Sequence, residues 1–269
     1  MQSEDNGGNE RQKGNAEGVK ALKNLKDLIG RTADLIRNSE KTVALTGAGI
    51  STESGIPDYR SKGTGLWEKF DPIAKASATA LLSDPAEFYR FNLPRWTAYR
   101  DAEPNTAHRA LAKLEEAGLL FSLITQNIDG LHIKAGSMRV WEVHGHLRTC
   151  RCMKCSRSYP FTELTRQFEK GTNPPVCPKC SAVLRPDVVL FEDPMGKDYL
   201  RALEDLRGCR LLIVVGSSLA VYPVADMPSY AQKLVIVNRE PTPWDSRAEV
   251  VAHCSAGEFF EGLLEALGL

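Results

Sequence analysis

Short runs of Val, Ile, Leu and Ala recur along this chain, and each ends in glycine or a cluster of polar side chains. They are Thr42-Val43-Ala44-Leu45, Phe121–Thr125, Val140–Val143, Val188–Phe191, Leu211–Val215 and Lys233–Val237. Continuous apolar runs of this length fit parallel strands buried on both faces, which rarely alternate with polar residues. Helical patterns at Thr106–Ala117, Tyr199–Leu206 and Glu258–Leu267 separate several of the runs. A strand–helix alternation of this kind predicts an α/β fold with a doubly wound parallel sheet. Such a sheet gathers its chemistry at the carboxyl ends of its strands, so the residues after each run are the candidates for function.

Two segments interrupt the rhythm. Residues 66–100 are helical and rich in aromatics (Trp67, Phe70, Phe88, Tyr89, Phe91, Trp96, Tyr99), while 150–182 hold five of the seven cysteines. The expected organisation has 18–65, 101–149 and 183–269 forming a Rossmann-like nucleotide-binding domain. The helical insert 66–100 and the cysteine-rich insert 150–182 are together expected to form a smaller module. Residues 1–17 are rich in Gly, Asn, Gln and charge and read as a disordered tail. Val19, Leu22, Leu25, Leu28, Ile29, Leu35 and Ile36 then recur at helical spacing, with Gly30 as a candidate break.

Bulk numbers narrow the partners. Lys plus Arg and Asp plus Glu number 34 each, so no global charge points to nucleic acid or an anionic membrane. A local bias exists: eight basic residues (Arg148, Arg151, Lys154, Arg157, Arg166, Lys170, Lys179, Arg185) face only Glu163 and Glu169 between positions 145 and 185. A solvated basic face is the reading taken, and nucleic acid is not expected. Neither a membrane span nor the layout of a signal peptide is evident, so a cytoplasmic location is expected.

In that compartment seven cysteines favour metal over disulfides. Cys152-Met-Lys-Cys155 and Cys177-Pro-Lys-Cys180 are two knuckles 21 residues apart. Each turn places two thiolates on one side of a bend, and the pair supplies four sulfurs for a tetrahedral zinc. Four protein ligands leave no open position, so this zinc is expected to be structural. Cys150 is read as a neighbour of the site, Cys209 as core, and Cys254 as a residue able to line a pocket.

The strand ends supply the rest. Thr46-Gly47-Ala48-Gly49-Ile50-Ser51 follows the first run, and two glycines one residue apart permit a tight turn and close approach to phosphate. The Gly-x-Gly-x-x-Gly of dehydrogenases is incomplete, because Thr52 stands where the third glycine belongs. Gln126-Asn127-Ile128-Asp129-Gly130 suits the hydroxyls of a ribose and a carboxamide. His144-Gly145-His146 offers a general base, with His144 preferred because it comes first after its strand. His108, His132 and His253 have no such placement. Gly216-Ser217-Ser218 can approach phosphate or ribose, Asn238-Arg239-Glu240 offers Asn238 to a ribose hydroxyl, and Val188–Phe191 offers an edge to a peptide.

Gly-Ala-Gly-Ile-Ser, Ser-Gly-Ile-Pro-Asp-Tyr-Arg, Thr-Gln-Asn-Ile-Asp, His-Gly, the paired Cys-x-x-Cys, Gly-Ser-Ser-Leu and Val-Asn occur in that order. Over roughly residues 20–269 the chain resembles the sirtuins, NAD-dependent protein lysine deacylases, and within them the compact microbial deacetylases. The resemblance implies NAD as a consumed co-substrate, one structural zinc and an acyl-lysine peptide or protein as partner. It implies that Gly47, Ala48 and Gly49, with Arg60 and Ser217, hold the pyrophosphate, and that Asn127 and Asp129 position the nicotinamide ribose and carboxamide. Ser51, Asp58, Tyr59, Gln126, Ile128, Gly216, Ser218, Asn238, Arg239 and Cys254 complete the cofactor site it implies. His144 would be the general base, with Asn127 as a second catalytic residue. The peptide would lie along Val189, Leu190, Phe191 and Glu192, opposite Val221. Nicotinamide and 2′-O-acyl-ADP-ribose would be the products. Alternatives from the same residues are a protein ADP-ribosyltransferase using the same NAD site and a non-catalytic zinc-ribbon binding protein.

Three departures from the family stand out. Tyr59 replaces a frequent phenylalanine, and Glu192-Asp193 replaces a frequent Gly-Glu. Members that remove succinyl or malonyl groups carry Tyr and Arg three apart in the helical insert, where this chain has Tyr89-Arg90-Phe91-Asn92. Neutral acyl groups, acetyl first, are therefore expected.

Overall fold

A computed structural model describes residues 24–58, 65 and 69–269. Tyr59, Arg60, Trp67 and the tail 1–17 lie outside the described residues, as do Val19 and Leu22. The first helix, α1, covers 24–37 without a break at Gly30, whose absent Cβ would have nothing within 4 Å. Strand β1 (Thr42–Thr46) follows, then a 3-10 turn over Ala48–Ser54. Three helices come next: α2 (Pro72–Ala76), α3 (Ala78–Ser83) and α4 (Pro85–Thr97). Asp71, Ser77 and Asp84 each cap one of them with a side-chain oxygen, which is why the insert is helical in short pieces.

The middle of the chain runs α5 (Thr106–Glu116), β2 (Ser122–Thr125), α6 (Leu131–Lys134), β3 (Val140–Glu142), β4 (Gly145–Cys152), β5 (Ser158–Pro160), α7 (Thr162–Glu169) and β6 (Leu184–Val188). The last part holds α8 (Lys197–Leu206), β7 (Leu211–Val215), β8 (Lys233–Val237), β9 (Val250–Ala252) and α9 (Ala256–Leu267). Among the described residues six strands form a parallel sheet in the order β3-β2-β1-β7-β8-β9. Three more form an antiparallel sheet in the order β5-β4-β6.

The continuous runs are explained by burial on both faces. Ala44, Leu123, Ile213, Val215, Val235 and Val237 face a core built with α1, α5 and α9. Their neighbours Val43, Leu45, Ile124, Leu212, Val214, Leu234 and Ile236 face a second core with α8 and the segment near Met227. A third core joins the two inserts. Leu81, Phe88, Tyr89 and Leu93 pack with Cys150, Phe161, Leu164, Leu184 and Val188.

One expected strand is corrected. The run Val188–Phe191 is not a strand of the parallel sheet. The strand is Leu184–Val188, and it pairs antiparallel with β4. Its burial alternates, with Leu184, Pro186 and Val188 inward and Arg185 and Asp187 less buried, as expected for a sheet with one wet face. Past Val188 the chain turns, since Asp193 N–H donates to Leu190 O at 3.1 Å.

Candidate functional site

Strand order sets the place of the crevice. From β1 the sheet extends to β2 and β3 on one side and to β7, β8 and β9 on the other. Where such an order reverses, the loops leave in opposite directions and a crevice opens outside the carboxyl ends. Here the crevice is lined by Gly47, Ala48, Gly49, Asp58, Gln126, Gly216, Ser217, Ser218, Val221, Asn238, Arg239 and Cys254, with Thr52, Val237, Glu240 and Ala256. Most residues expected at a cofactor are therefore brought to one cavity, Cys254 included.

The glycines of the first turn are required by packing against the opposite turn. Gly47 N–H donates to Val215 O at 3.0 Å and Gly49 N–H to Gly216 O at 2.8 Å. A Cβ on Gly47 or Gly49 would lie 2.8 Å from backbone atoms of Gly216. A Cβ on Gly216, at φ 60°, would lie 2.2 Å from Ile50 N. Two backbone turns thus meet edge to edge at the switch point, leaving main chain without side chains along the crevice wall. That bare, polar wall fits the diphosphate of a dinucleotide, which is recognised by backbone at such turns.

Gln126 spans the crevice floor. Its Nε2 donates to Ser217 Oγ at 2.8 Å, and its backbone oxygen lies 3.0 Å from His144 Nδ1. A carbonyl only accepts, so Nδ1 carries the proton in this bond and Nε2 is the basic nitrogen of the ring. The backbone of His144 reaches the other way, since its carbonyl accepts the N–H of Val189 at 2.8 Å. His146 falls in β4 and accepts the Arg148 N–H.

Beneath this floor Asn127 Nδ2 donates to Gly47 O at 3.2 Å and to Ser51 Oγ at 3.1 Å. Ser51 Oγ in turn donates to Asp129 Oδ2 at 2.8 Å, and Leu131 N–H donates to Asp129 Oδ1 at 2.9 Å. Burial raises the Asp129 carboxyl above its ordinary value, against the lowering effect of the Leu131 N–H and the Ser51 hydroxyl. Ser51 itself is fully buried, so it orients Asp129 from below.

Sequence reasoning missed what holds this network up. His108 and His132 are buried and pack against each other, with ring centroids 4.7 Å apart and planes inclined by 55°. His108 Nε2 lies 3.5 Å from Ser51 Oγ, and His132 Nε2 lies 2.9 Å from Thr46 Oγ1. Burial pushes His108 down to about 4 and His132 well below its ordinary value, so both are neutral at physiological pH. Glu142, also buried, ends β3 and holds Arg148 of β4 in a two-pronged ion pair. The only sequence signal for these groups was their occurrence within short, otherwise apolar stretches.

The four knuckle sulfurs converge. Cys152, Cys155, Cys177 and Cys180 place their Sγ atoms within 4.8 Å of one another. Cys152 to Cys180 is 3.4 Å and Cys155 to Cys177 is 3.8 Å. A tetrahedron with Zn–S bonds of about 2.3 Å has edges of about 3.8 Å, so the set fits zinc. Burial raises the Cys177 thiol, but the Tyr159 hydroxyl and the Lys179 and Cys180 N–H groups outweigh it and bring it down to about 6. Cys150 stays outside, its Sγ 3.6 Å from Pro160 O, and burial pushes it up to about 12.

Half of the basic bias is neutralised within the fold. Arg148 pairs with Glu142, Arg151 with Asp187, Arg166 with Glu163 and Arg185 with Asp193. The expected peptide edge is also narrower than the run suggested. Val189 N–H, Leu190 N–H and both backbone polar groups of Phe191 already bond within the chain.

Residues 47–223 match the model of the Sir2 family. The chain belongs to the Sir2 family. Among its relatives in the family is NAD-dependent protein deacetylase 2 of Caldanaerobacter subterraneus subsp. tengcongensis, 49% identical, with 84% of this chain and 90% of that protein covered. The NAD-dependent protein deacetylase of Caldivirga maquilingensis is 48% identical over 87% of this chain and 91% of its own. A Sir2 structure holding a deacetylated p53 peptide and 3′-O-acetyl ADP ribose superposes with a TM-score of 0.85 at 39% identity, covering 89% of this chain and 98% of that one. A second, with a p53 peptide and NAD+, gives 0.81 at 39% identity over 88% and 98%.

Proposed function

We propose that the chain is an NAD-dependent protein lysine deacetylase, acting on acetyl and other neutral acyl groups. Nicotinamide, the freed lysine and 2′-O-acyl-ADP-ribose are its products. One observation carries the reading. His144 is bonded through its ring to Gln126 on the crevice floor and through its carbonyl to Val189 on the segment expected to receive the peptide. A single residue therefore joins a nucleotide crevice to a peptide edge, which is what transfer between the two substrates requires.

The residues divide the work. Gly47, Gly49 and Ser217 would hold the diphosphate, and Asn238 at the end of β8 a ribose hydroxyl. Asn127 and Asp129, fixed by Ser51 and the Leu131 N–H, would hold the nicotinamide side. NAD, when bound, supplies the ribose carbon from which nicotinamide departs and the hydroxyl that receives the acyl group. His144 takes and returns a proton at Nε2, its tautomer held by the Gln126 carbonyl. Zinc at Cys152, Cys155, Cys177 and Cys180 would hold the two knuckles together, with no coordination position left for chemistry.

The acyl preference rests on the helical insert. Asn92 Nδ2 donates to Lys75 O at 2.7 Å and Phe88 O at 2.9 Å, while Tyr89 is fully buried with its hydroxyl on Leu184 O. Neither side chain presents the phenol and cation that an acidic acyl group needs. No helix among the described residues is long and apolar enough to cross a membrane, and a cytoplasmic location is the reading taken. Mass spectrometry of products from NAD and a panel of acyl-lysine peptides tests the proposal. Acetyl transfer should far exceed succinyl transfer. ADP-ribose appearing on protein, or succinyl transfer matching acetyl, would overturn it.

A further inference from the structure

Glu192 sits in the left-handed region, with φ 73°. Residues with a Cβ rarely take that conformation, and glycine takes it freely. The family's frequent Gly-Glu would put glycine at this position, so the glutamate needs a reason. Its side chain supplies one. Oε2 accepts the N–H of Thr79, in the first turn of α3, at 3.0 Å. First-turn N–H groups have no acceptor within their own helix.

Main-chain bonds flank this contact. Phe191 N–H donates to Ala76 O at 3.1 Å, and Ala78 N–H donates to Phe191 O at 2.9 Å. The next residue pulls the other way. Asp193 accepts the Leu190 N–H at 2.8 Å and pairs with Arg185 on β6 at 2.6 Å. Neighbouring carboxylates thus staple one turn to two different elements, Glu192 to the helical insert and Asp193 to the small sheet.

We propose that Glu192 is a positioning residue: its carboxylate clamps α3 onto segment 189–192 and so preforms the groove that receives the acyl-lysine peptide. The inference rests on the deacetylase reading above. It explains why a strained backbone is kept at a position where glycine would relieve it. Glycine would relieve the turn and remove the side-chain tie to Thr79, leaving only the two main-chain bonds between Phe191 and the start of α3.

Glu192→Gly and Glu192→Gln separate the clamp from a merely structural role, because glutamine keeps an oxygen able to accept from Thr79. Peptide KM, NAD KM and kcat are measured, with amide hydrogen exchange over 77–81 and Tm. For Glu192→Gly the peptide KM should rise about fivefold or more, as expected for losing a hydrogen bond to a charged group. NAD KM and kcat should move less, exchange at Thr79 should quicken, and Tm should hold or rise because the backbone strain is gone. Glu192→Gln should recover most of both the KM and the protection. Wild-type peptide KM and exchange in Glu192→Gly would overturn the clamp, as would Glu192→Gln failing as badly as Glu192→Gly. A lowered Tm with a parallel fall in kcat would also overturn it. Should the wild type not turn over acetyl peptide, the deacetylase reading falls, while exchange at Thr79 still decides the clamp.

Discussion

The ring of His144 lies 3.0 Å from the backbone oxygen of Gln126, and this bond decides which nitrogen of the ring is basic. Gln126 is itself tied across the switch point to Ser217. The orientation of the proposed base therefore depends on two strand ends, β2 and β7, as well as on its own.

Two glycines should respond oppositely to alanine. Gly30 lies within α1 with open space where a Cβ would be, so Gly30→Ala should stabilise by about 0.5–1 kcal/mol and raise Tm by roughly 1–4 °C. Gly216→Ala forces a Cβ to 2.2 Å from Ile50 N at positive φ, and backbone cannot yield as a side chain can. A loss on the order of 3 kcal/mol or more is expected, read by urea denaturation of both variants.

Acid should loosen the floor of the site. His108 titrates near 4 when folded, against about 6.5 unfolded, so the unfolded chain binds more protons between those values. Its contribution is present above pH 6.5 and is lost as pH falls from 6.5 towards 4, about 3 kcal/mol in all. Urea midpoints across this window should fall with pH in the wild type. They should fall less in His108→Gln.

The sulfur ligands can be told apart from their neighbour. Cys177→Ser should lose bound zinc, expose the core shared by Leu164, Leu184 and Tyr89, and abolish turnover. Cys150→Ser should keep one zinc per chain, because its Sγ faces Pro160 O. Metal analysis with near-ultraviolet circular dichroism reads both.

Legibility in the sequence followed burial for the longer strands, whereas β9, buried but only three residues long, leaves no run to read. Leu211–Val215 and Lys233–Val237 were read with their observed bounds, since strands buried on both faces leave unbroken apolar runs. β4 was missed: Arg148 and Arg151 break its apolar pattern, and its bend at Gly145–Cys150 hides the period. β6 was misplaced by four residues at its start because the apolar run belongs to the turn after it. Polar residues at strand ends, Gln126 to Asp129 and His144, were legible because the fold class says where ligands gather. His108, His132 and Glu142 were not. A buried polar group is defined by partners from distant parts of the chain, and spacing along one segment does not reveal them.

The most direct test of the account is His144→Ala assayed with NAD and an acetyl-lysine peptide, counting 2′-O-acetyl-ADP-ribose formed per lysine freed. The wild type should give one for one, and the variant should keep its fold and its zinc while product formation falls by about 100-fold or more. Turnover retained in His144→Ala would contradict the role assigned to His144 and, with it, the union of crevice and peptide edge on which the proposed function rests.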